Sequence, residues 1–387
     1  MRILAVSPYA APEGGGLERY AAAVLSRLAK RGHMVRQLCF TRGEPGLAWS
    51  GGFEVQRVKP LAIVGNTPLH PRFVATVAEA IRSFRPDVVL AHTPVPFAAE
   101  CAYRAARRAQ VPFVVTYHAG GLRGSSRLLS AVAAVDRATL ESAMLRGADA
   151  VLAVSSYVRD RALARCRDRV RLAPPGVDAQ AFAPGGKPRD EILFVGPLST
   201  SYRWKGLDVL LPAFRQVLAK RPTTRLVLVG DGDRRAEIEA LPEAKAGSLV
   251  VRGRLSEADL AQAYRDAAVA VLPSTSDAEG FGLVLAEANA CGRPVVASRI
   301  GGIPSFVTPG ENGVLVAPGD ALELGERLVE LLGEPAYLTA MGRRGRQRVL
   351  RDHDWERVTG TTEETLRMVT GLVPAPAAPP GSAPRPA

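Results

Sequence analysis

The sequence predicts an α/β protein made of two doubly wound halves of similar size that face each other across a cleft. Three observations carry this. Short β-branched runs alternate with amphipathic helical stretches along most of the chain, the pattern of parallel sheets covered by helices. The pattern breaks once, at Ala183-Pro184-Gly185-Gly186-Lys187-Pro188, and then restarts. The length of 387 residues fits two to three domains at roughly 150 residues each. The expected domains are 1–183 and 190–353, with a helix over about 354–372 packing back on the first. In open α/β sheets ligands bind at the carboxyl ends of strands, so the default site is the gap between the halves.

In the first half, Arg2 to Ser7 reads as a strand and Leu17 to Arg31 as a helix, with Ala21, Val24, Leu25 and Leu28 on one face and Gly32 as its stop. Met34 to Phe40 is the next strand. Val88 to Ala91 and Phe113 to Thr116 are apolar on both faces, as buried parallel strands are. Val151 to Val154 follows, then a helix from Ser156 to about Ala164. In the second half, strands are expected at Glu191 to Val195, Arg225 to Val229, Leu249 to Arg252, Val269 to Leu272 and Val295 to Ala297. Helices are expected at Leu207 to Lys220, Asp233 to Leu241, Ser256 to Ala267 and onward from Gly282. Val373 to Ala387 has no periodicity and too little apolar bulk to pack, so a disordered tail is expected there.

Composition narrows the function classes. Hydrophobic residues at 47% and charged residues at 23% exclude disorder throughout, a collagen-like fibre and a coiled coil. No apolar run approaches the roughly 18 residues of a membrane-spanning helix, and the apolar run before Pro8 is too short for a signal peptide. A cytoplasmic protein is expected. Cys39, Cys101, Cys166 and Cys291 lie far apart with no C-x-x-C, which argues against a disulfide framework or a zinc site. The net charge of +12, mostly from Arg, favours anionic partners. A coding bias towards Ala, Arg, Pro and Gly explains the excess equally well. Aromatic residues at 6%, not interleaved with the basic ones, speak against nucleic acid.

The strongest chemical signal follows the strand Val269 to Leu272. Glu279-Gly280-Phe281-Gly282 leads into an apolar helix that carries Glu287. Gly280 and Gly282 let backbone approach a ligand, and the first N–H groups of the helix form a ready phosphate site. At 1.5 Å rise per residue the two carboxylates lie on the order of 12 Å apart, too far for an acid–base pair on one bond. The spacing suits two carboxylates gripping hydroxyls at opposite ends of a long ligand with a diphosphate between them. The alternative is a surface Glu and a helix-face Glu.

Glu279 to Ala288, with Asn289 to Ala297 and Gly301-Gly302-Ile303-Pro304, resembles the C-terminal signature of family 4 glycosyltransferases. These are retaining enzymes of the GT-B fold, two facing Rossmann-like domains, that use nucleotide-sugar donors. Matching pieces recur in order at Glu13-Gly14-Gly15-Gly16-Leu17-Glu18-Arg19, Thr116-Tyr117-His118, Pro175-Gly176-Val177-Asp178, Trp204-Lys205-Gly206-Leu207, Gly230-Asp231-Gly232 and Asp354-Trp355. The resemblance implies that Glu279 contacts hydroxyls of the transferred sugar, Glu287 contacts the ribose, and Gly280, Phe281, Gly282 and Leu283 line the diphosphate. It makes Lys205 the counter-charge of the leaving phosphate. In many relatives an Arg follows the glycine matching Gly196, where this chain has Pro197, and Arg203 is the candidate replacement. The base is expected near Arg254 and Leu255.

Gly15 and Gly16 follow the first strand, but Arg19 stands where a dinucleotide fingerprint needs its third glycine. They are expected to form a flexible loop approaching the donor or the acceptor, with a plain turn as the alternative. His118 ends its strand at the carboxyl side, and the resemblance gives it a role on the acceptor or the sugar. His92 is expected to be structural. Asp231-Gly232-Asp233 has the form of a divalent-ion motif but is expected to be a turn in which Asp233 caps its own helix, so no metal and no cofactor are expected. A basic amphipathic helix from about Ser126 to Met144, with Arg104, Arg107 and Arg108 nearby, is a candidate contact with an anionic bilayer, against a solvated face.

These readings add up to a metal-independent hexosyltransferase, cytoplasmic or peripheral on the inner face of the cell membrane. Its acceptor is a lipid-linked, glycan or small-molecule hydroxyl. The alternatives are a GT-B nucleotide-sugar epimerase and a nucleotide-sugar or glycan binding protein without turnover, which the missing Arg after Gly196 favours.

Overall fold

The computed structural model describes residues 1–64, 67–118, 137–162, 166 and 169–372. Two sheets carry the fold, each built from a separate stretch of chain. The first holds β1 (Arg2–Ser7), β2 (Met34–Phe40), β3 (Gly46–Ser50), β4 (Phe53–Val58), then β7 (Val88–Thr93), β8 (Phe113–Tyr117), β9 (Ala150–Ala153) and β10 (Val170–Leu172). A small hairpin, β5 (Ala62–Val64) and β6 (Thr67–Leu69), stands apart from it. Strand order is β10-β9-β8-β7-β1-β2-β4-β3, parallel except for the β3–β4 hairpin at one edge. The order reverses between β1 and β7.

The second sheet holds β11 (Glu191–Val195), β12 (Arg225–Val229), β13 (Leu249–Val251), β14 (Val269–Leu272), β15 (Val295–Ser298) and β16 (Gly313–Val316). Its order is β13-β12-β11-β14-β15-β16, all parallel, with the reversal between β11 and β14. This is the doubly wound nucleotide-binding order, and the crevice at the reversal is where such sheets take ligands. The expected pair of Rossmann-like domains is what the chain forms.

The period of two along each strand explains the core. Ile192 and Phe194 pack on one face of the second sheet with Leu226 and Leu228, while Leu193 packs on the other with Val227 and Val229. Each such buried side chain contributes about 1.5–3 kcal/mol relative to exposure. All four cysteines are buried thiols, and burial pushes Cys39, Cys101 and Cys291 up to about 12.

The chain then crosses back. The helix Pro335–Asp352 lies on the second domain, and the helix Trp355–Val369, capped by the Asp354 carboxylate, lies on the first. Its Trp355, Val358 and Leu366 join the first core. Glu363 accepts from Arg31 at 2.8 Å and from Arg367 at 2.7 Å and meets His33 at 3.0 Å. Burial opposes its charge, but these hydrogen bonds outweigh it and hold the Glu363 carboxyl down at about 2. A depressed carboxyl stabilises the folded state above its unfolded value and loses that contribution as pH falls through the folded one. The dock of this helix is therefore expected to weaken between about pH 4.3 and pH 2. Acid unfolding of Glu363→Gln, followed by circular dichroism, is expected to show a smaller loss across that window. An unchanged profile would remove Glu363 from the account.

Several elements differ from expectation. The helix expected at Asp233 to Leu241 is shorter, Arg235–Glu239, because Leu241 is extended before Pro242, which opens a separate turn at Pro242–Lys245. The helix expected from Ser156 to Ala164 does start at Ser156 and is helical as far as it is described, but from Val158 to Ala162 it is π-helical. The helices Phe73–Phe84 and Ala98–Ala109 and the β3–β4 hairpin were not expected. The tail from Val373 to Ala387 lies outside the described residues.

Candidate active site

The two loops that flank the reversal of the second sheet are stitched together by backbone. The loop after β11 ends in a 3-10 helix, Thr200–Lys205, and turns at Gly206, whose φ is 84°. A Cβ there would overlap Pro273 O, so only glycine lets the two loops lie this close. Thr275 donates its N–H to Trp204 O at 2.7 Å. This contact brings Lys205 from one loop to Glu279 from the other, with Nζ donating to Oε2 at 2.6 Å. Ser274 Oγ adds a weaker bond to the same oxygen at 3.4 Å. The ammonium also lies 4.6 Å from the centre of the Trp204 ring. An ammonium has three donors, so two stay available to a ligand.

Beside this pair begins the helix Leu283–Ala290. Gly282 precedes it at φ 86°, a left-handed conformation that glycine adopts without strain. The Phe281 ring anchors the turn against Phe306 and His353. Among the described residues, the N–H groups of Phe281, Gly282 and Leu283 have no acceptor. No acidic residue stands in the first turn of this helix. The first helix of the chain, Gly16–Lys30, is the opposite case. Glu18 is buried there and accepts from Gly15 N at 2.7 Å, so its carboxylate already occupies the helix N-terminus. Burial raises the Glu18 carboxyl. Glu13 pins the same loop by accepting from Thr41 Oγ1 at 2.5 Å and Arg42 N at 2.8 Å. The glycine segment at Gly15 and Gly16 is thus held by hydrogen bonds from Glu18 and Glu13, and its helix N-terminus already faces a carboxylate of its own.

The domains meet at the carboxyl ends of their two sheets, through the helices and loops that follow the strands. Arg19 of the first domain pairs with Glu287 of the second. Glu287 is 1% exposed, and its other oxygen accepts from Tyr264 OH at 2.9 Å. Burial, then the neighbouring carboxylate, raises Tyr264, and the same carboxylate raises Arg19. Tyr157 OH donates to Asp277 at 3.2 Å, and the Ser156 and Ser305 hydroxyls lie 3.0 Å apart. The carboxylates at 279 and 287 therefore have separate partners: Glu279 is held within its own domain by Lys205 and Ser274, and Glu287 by Tyr264 of its own domain and Arg19 of the facing one.

A family model described as Glycosyltransferase Family 4 matches residues 14–181, and one described as Glycosyl transferases group 1 matches residues 189–334. The chain is 32% identical over 372 residues to D-inositol 3-phosphate glycosyltransferase 1 of Catenulispora acidiphila, covering 87% of each. The chain belongs to the family 4 glycosyltransferases. It is a GT-B glycosyltransferase that draws on a nucleotide-sugar donor. A shorter stretch of 157 residues, 39% of this chain and 41% of the relative, is 37% identical to the GDP-mannose-dependent monoacylated alpha-(1-6)-phosphatidylinositol monomannoside mannosyltransferase of Corynebacterium glutamicum. Among solved structures, sucrose-phosphate synthase from Thermosynechococcus elongatus superposes with a TM-score of 0.78 at 25% identity, over 96% of this chain and all of that one.

Within this glycosyltransferase the remaining expected residues scatter. Arg203 is exposed and its Nε donates to Asp208 at 2.9 Å, so it reinforces the start of the next helix rather than joining Lys205 and Glu279. Arg254 is exposed and Leu255 packs at the edge of the second core. Asp233 does not cap its own helix. It accepts from Thr200 N at 2.8 Å and so caps the Thr200–Lys205 helix, which lowers its carboxyl and holds the segment that carries Lys205. Asp231 accepts from Gly232 N at 2.9 Å. Among the described residues no group of three His, Cys, Asp or Glu side chains is placed to hold a metal ion. His118 lies beside His92, with 3.1 Å between Nε2 of the former and Nδ1 of the latter. The basic helix expected from Ser126 to Met144 lies mostly outside the described residues, and its described end is a π-helical turn at Arg137–Glu141 and a helix at Ser142–Gly147 in which Met144 is buried. Sequence reasoning missed the partners Tyr264, Ser274, Asp277 and Arg19. Only Arg19 carried a signal, because it broke the glycine fingerprint.

Proposed function

We propose that this glycosyltransferase moves a hexose-type sugar from a nucleoside-diphosphate sugar to a hydroxyl acceptor with retention of anomeric configuration and without a metal ion. The observation that carries the reading is the Lys205–Glu279 pair, 2.6 Å apart at the reversal of the second sheet, beside a helix N-terminus that no side chain of its own fills. The diphosphate lies against the N–H groups of Phe281, Gly282 and Leu283, with Lys205 supplying the counter-charge. Glu279, whose Oε1 has no partner among the described residues, accepts from hydroxyls of the sugar. The ribose reaches Glu287 by sharing or displacing Arg19. The bond between the anomeric carbon and the diphosphate oxygen breaks with oxocarbenium character. Lys205 and the helix terminus stabilise the departing charge, the acceptor oxygen attacks from the same face, and a leaving phosphate oxygen takes its proton. Asp231 and Asp233 are occupied by a turn and a cap, which leaves the cation role to Lys205.

The acceptor is a lipid-linked, glycan or small-molecule hydroxyl, and the names of the relatives span an inositol phosphate and a phosphatidylinositol mannoside. Exposed apolar side chains of the first domain support a peripheral place on the inner membrane face. Leu47 and Trp49 are exposed on the edge strand β3, and Leu61, Ile63 and Val64 are exposed at the separate β5–β6 hairpin, with Arg57, Lys59 and Arg72 in the same stretch of chain. Co-sedimentation with anionic vesicles checks that location. No described helix is long and apolar enough to cross a membrane.

The experiment for the activity is turnover with UDP-, GDP- and ADP-sugars against a panel of hydroxyl acceptors, with the product anomer read by NMR. A single donor is expected to give an acceptor-dependent product of the donor's own anomeric configuration at the same rate with and without chelator. An inverted product, or strict dependence on Mn²⁺ or Mg²⁺, would overturn the reading.

A further inference from the structure

His92 and His118 meet because of sheet register. His92 on β7 pairs with Thr116 on β8, and His118 stands two residues further along, so both side chains leave the same face of the sheet. His92 is fully buried and His118 half-buried. Tyr20, from the helix that follows the glycine turn, stands edge-on to both rings, with centroids 6.2 Å from His92 and 4.8 Å from His118. Burial lowers His92 to about 3 and lowers His118 well below its ordinary value, so both rings are neutral near pH 7.

Two neutral imidazoles 3.1 Å apart share one proton, in one of two ways. In the first, His92 Nδ1–H donates to His118 Nε2. His92 Nε2 is then a bare lone pair, and the proton of His118 sits on Nδ1. In the second, His118 Nε2–H donates to His92 Nδ1. The proton of His92 then sits on Nε2, and His118 Nδ1 is bare. The decisive observation is that His92 Nε2 is buried with no partner among the described residues. The second arrangement strands an N–H donor in the interior, while the first strands only an acceptor. Orphaned buried N–H groups are the rarer and costlier of the two.

We propose that His92 is a positioning residue that holds the proton of His118 on Nδ1, so that His118 meets its ligand as a hydrogen-bond donor and not as a base. This rests on the reading above that His118 touches the acceptor or the sugar. Nδ1 of His118 is the nitrogen with no partner among the described residues. A donor there suits a hydroxyl or ring oxygen of a sugar. It also agrees with a reaction in which the leaving phosphate takes the acceptor proton.

The test is a long-range ¹H–¹⁵N correlation spectrum of the full chain labelled with ¹⁵N-histidine, joined to kinetics. In the wild type both His92 and His118 are expected to carry the proton on Nδ1. A His118 protonated on Nε2 would overturn the proposal. His92→Phe is expected to lower kcat about tenfold, the scale of one net hydrogen bond, and to move the His118 proton. His92→Asn places an amide N–H where Nδ1–H stood and is expected to restore both. If Asn behaves as Phe does, the positioning role fails. Should the Phe variant not fold, the wild-type spectrum and the Asn variant still decide. Unchanged turnover in His118→Ala would remove His118 from the site, a failure of the functional reading that the proton positions by themselves do not report.

Discussion

Lys205→Met is expected to lower kcat by about 10²–10³, the effect of removing one preorganised donor from a developing oxyanion. The donor KM is expected to change less, because the ammonium gains most when the diphosphate oxygen takes on charge as the bond breaks. Glu279→Gln is expected to cut kcat/KM by a similar factor but to act on both terms, since a carboxylate that grips sugar hydroxyls binds ground state and transition state alike. Each residue is the other's ion-pair partner at 2.6 Å, so the double variant is expected to lose less than the product of the two single losses. The melting temperature of each variant, read alongside, separates chemistry from folding. Both side chains come from loops at the cleft rather than from the two cores, so cooperative folding is expected to persist. Near-normal rates in both single variants would sink the assignment of this loop pair as the catalytic centre.

How much of this was legible in the sequence follows from the range of the forces involved. The strands of the second sheet were readable because each is a short run of β-branched residues closed by a loop. Val269 to Leu272 and Glu191 to Val195 coincide with β14 and β11. Glu279, Gly282 and Glu287 were readable because they lie on one continuous loop and helix. The partners of these residues were not readable, because they depend on how segments far apart in sequence pack together. Tyr264 is 23 residues from Glu287 and Arg19 is 268 residues from it, and nothing local marks either as its contact. Arg203 stands two residues from Lys205, which made it the candidate second cation for the donor, and its Nε donates to Asp208 at the start of the next helix, a contact that nothing local in the sequence marks. The helix Ala98–Ala109 was missed although its two faces differ sharply, with Ala102, Ala105 and Ala106 buried and Arg104, Arg107 and Arg108 exposed, because the three arginines were read as a basic group and not as one face of a helix.

Gly302→Ala is expected to damage the site from outside it. Gly302 sits at φ −79° and ψ −8°, where alanine is at ease, so the substitution carries no backbone strain and tests space alone. The space is not there. A Cβ would overlap the carbonyl of Gly280 and lie 2.9 Å from Phe281 N, and these are backbone atoms that no rotamer change moves. Gly302 N also donates to Glu279 O at 2.7 Å, so the peptide that must shift is the one that fixes both Glu279 and the free N–H of Phe281. Overpacking of this kind costs about 1–3 kcal/mol of stability. The loss of activity is expected to be larger than that, about 10²-fold or more in kcat/KM, since a displacement near 1 Å in a positioned group has that effect. Gly333→Ala is the control. It has no atom within 4 Å of the added carbon and stands in the last turn of a helix, so it is expected to leave rates unchanged and to be neutral or slightly stabilising. Thermal melts and donor titrations on the two variants separate the terms. If Gly302→Ala binds donor and turns over like the control, the turn at Gly301-Gly302 does not set the height of the Glu279 loop, and the geometry that makes this loop the donor site has some other origin.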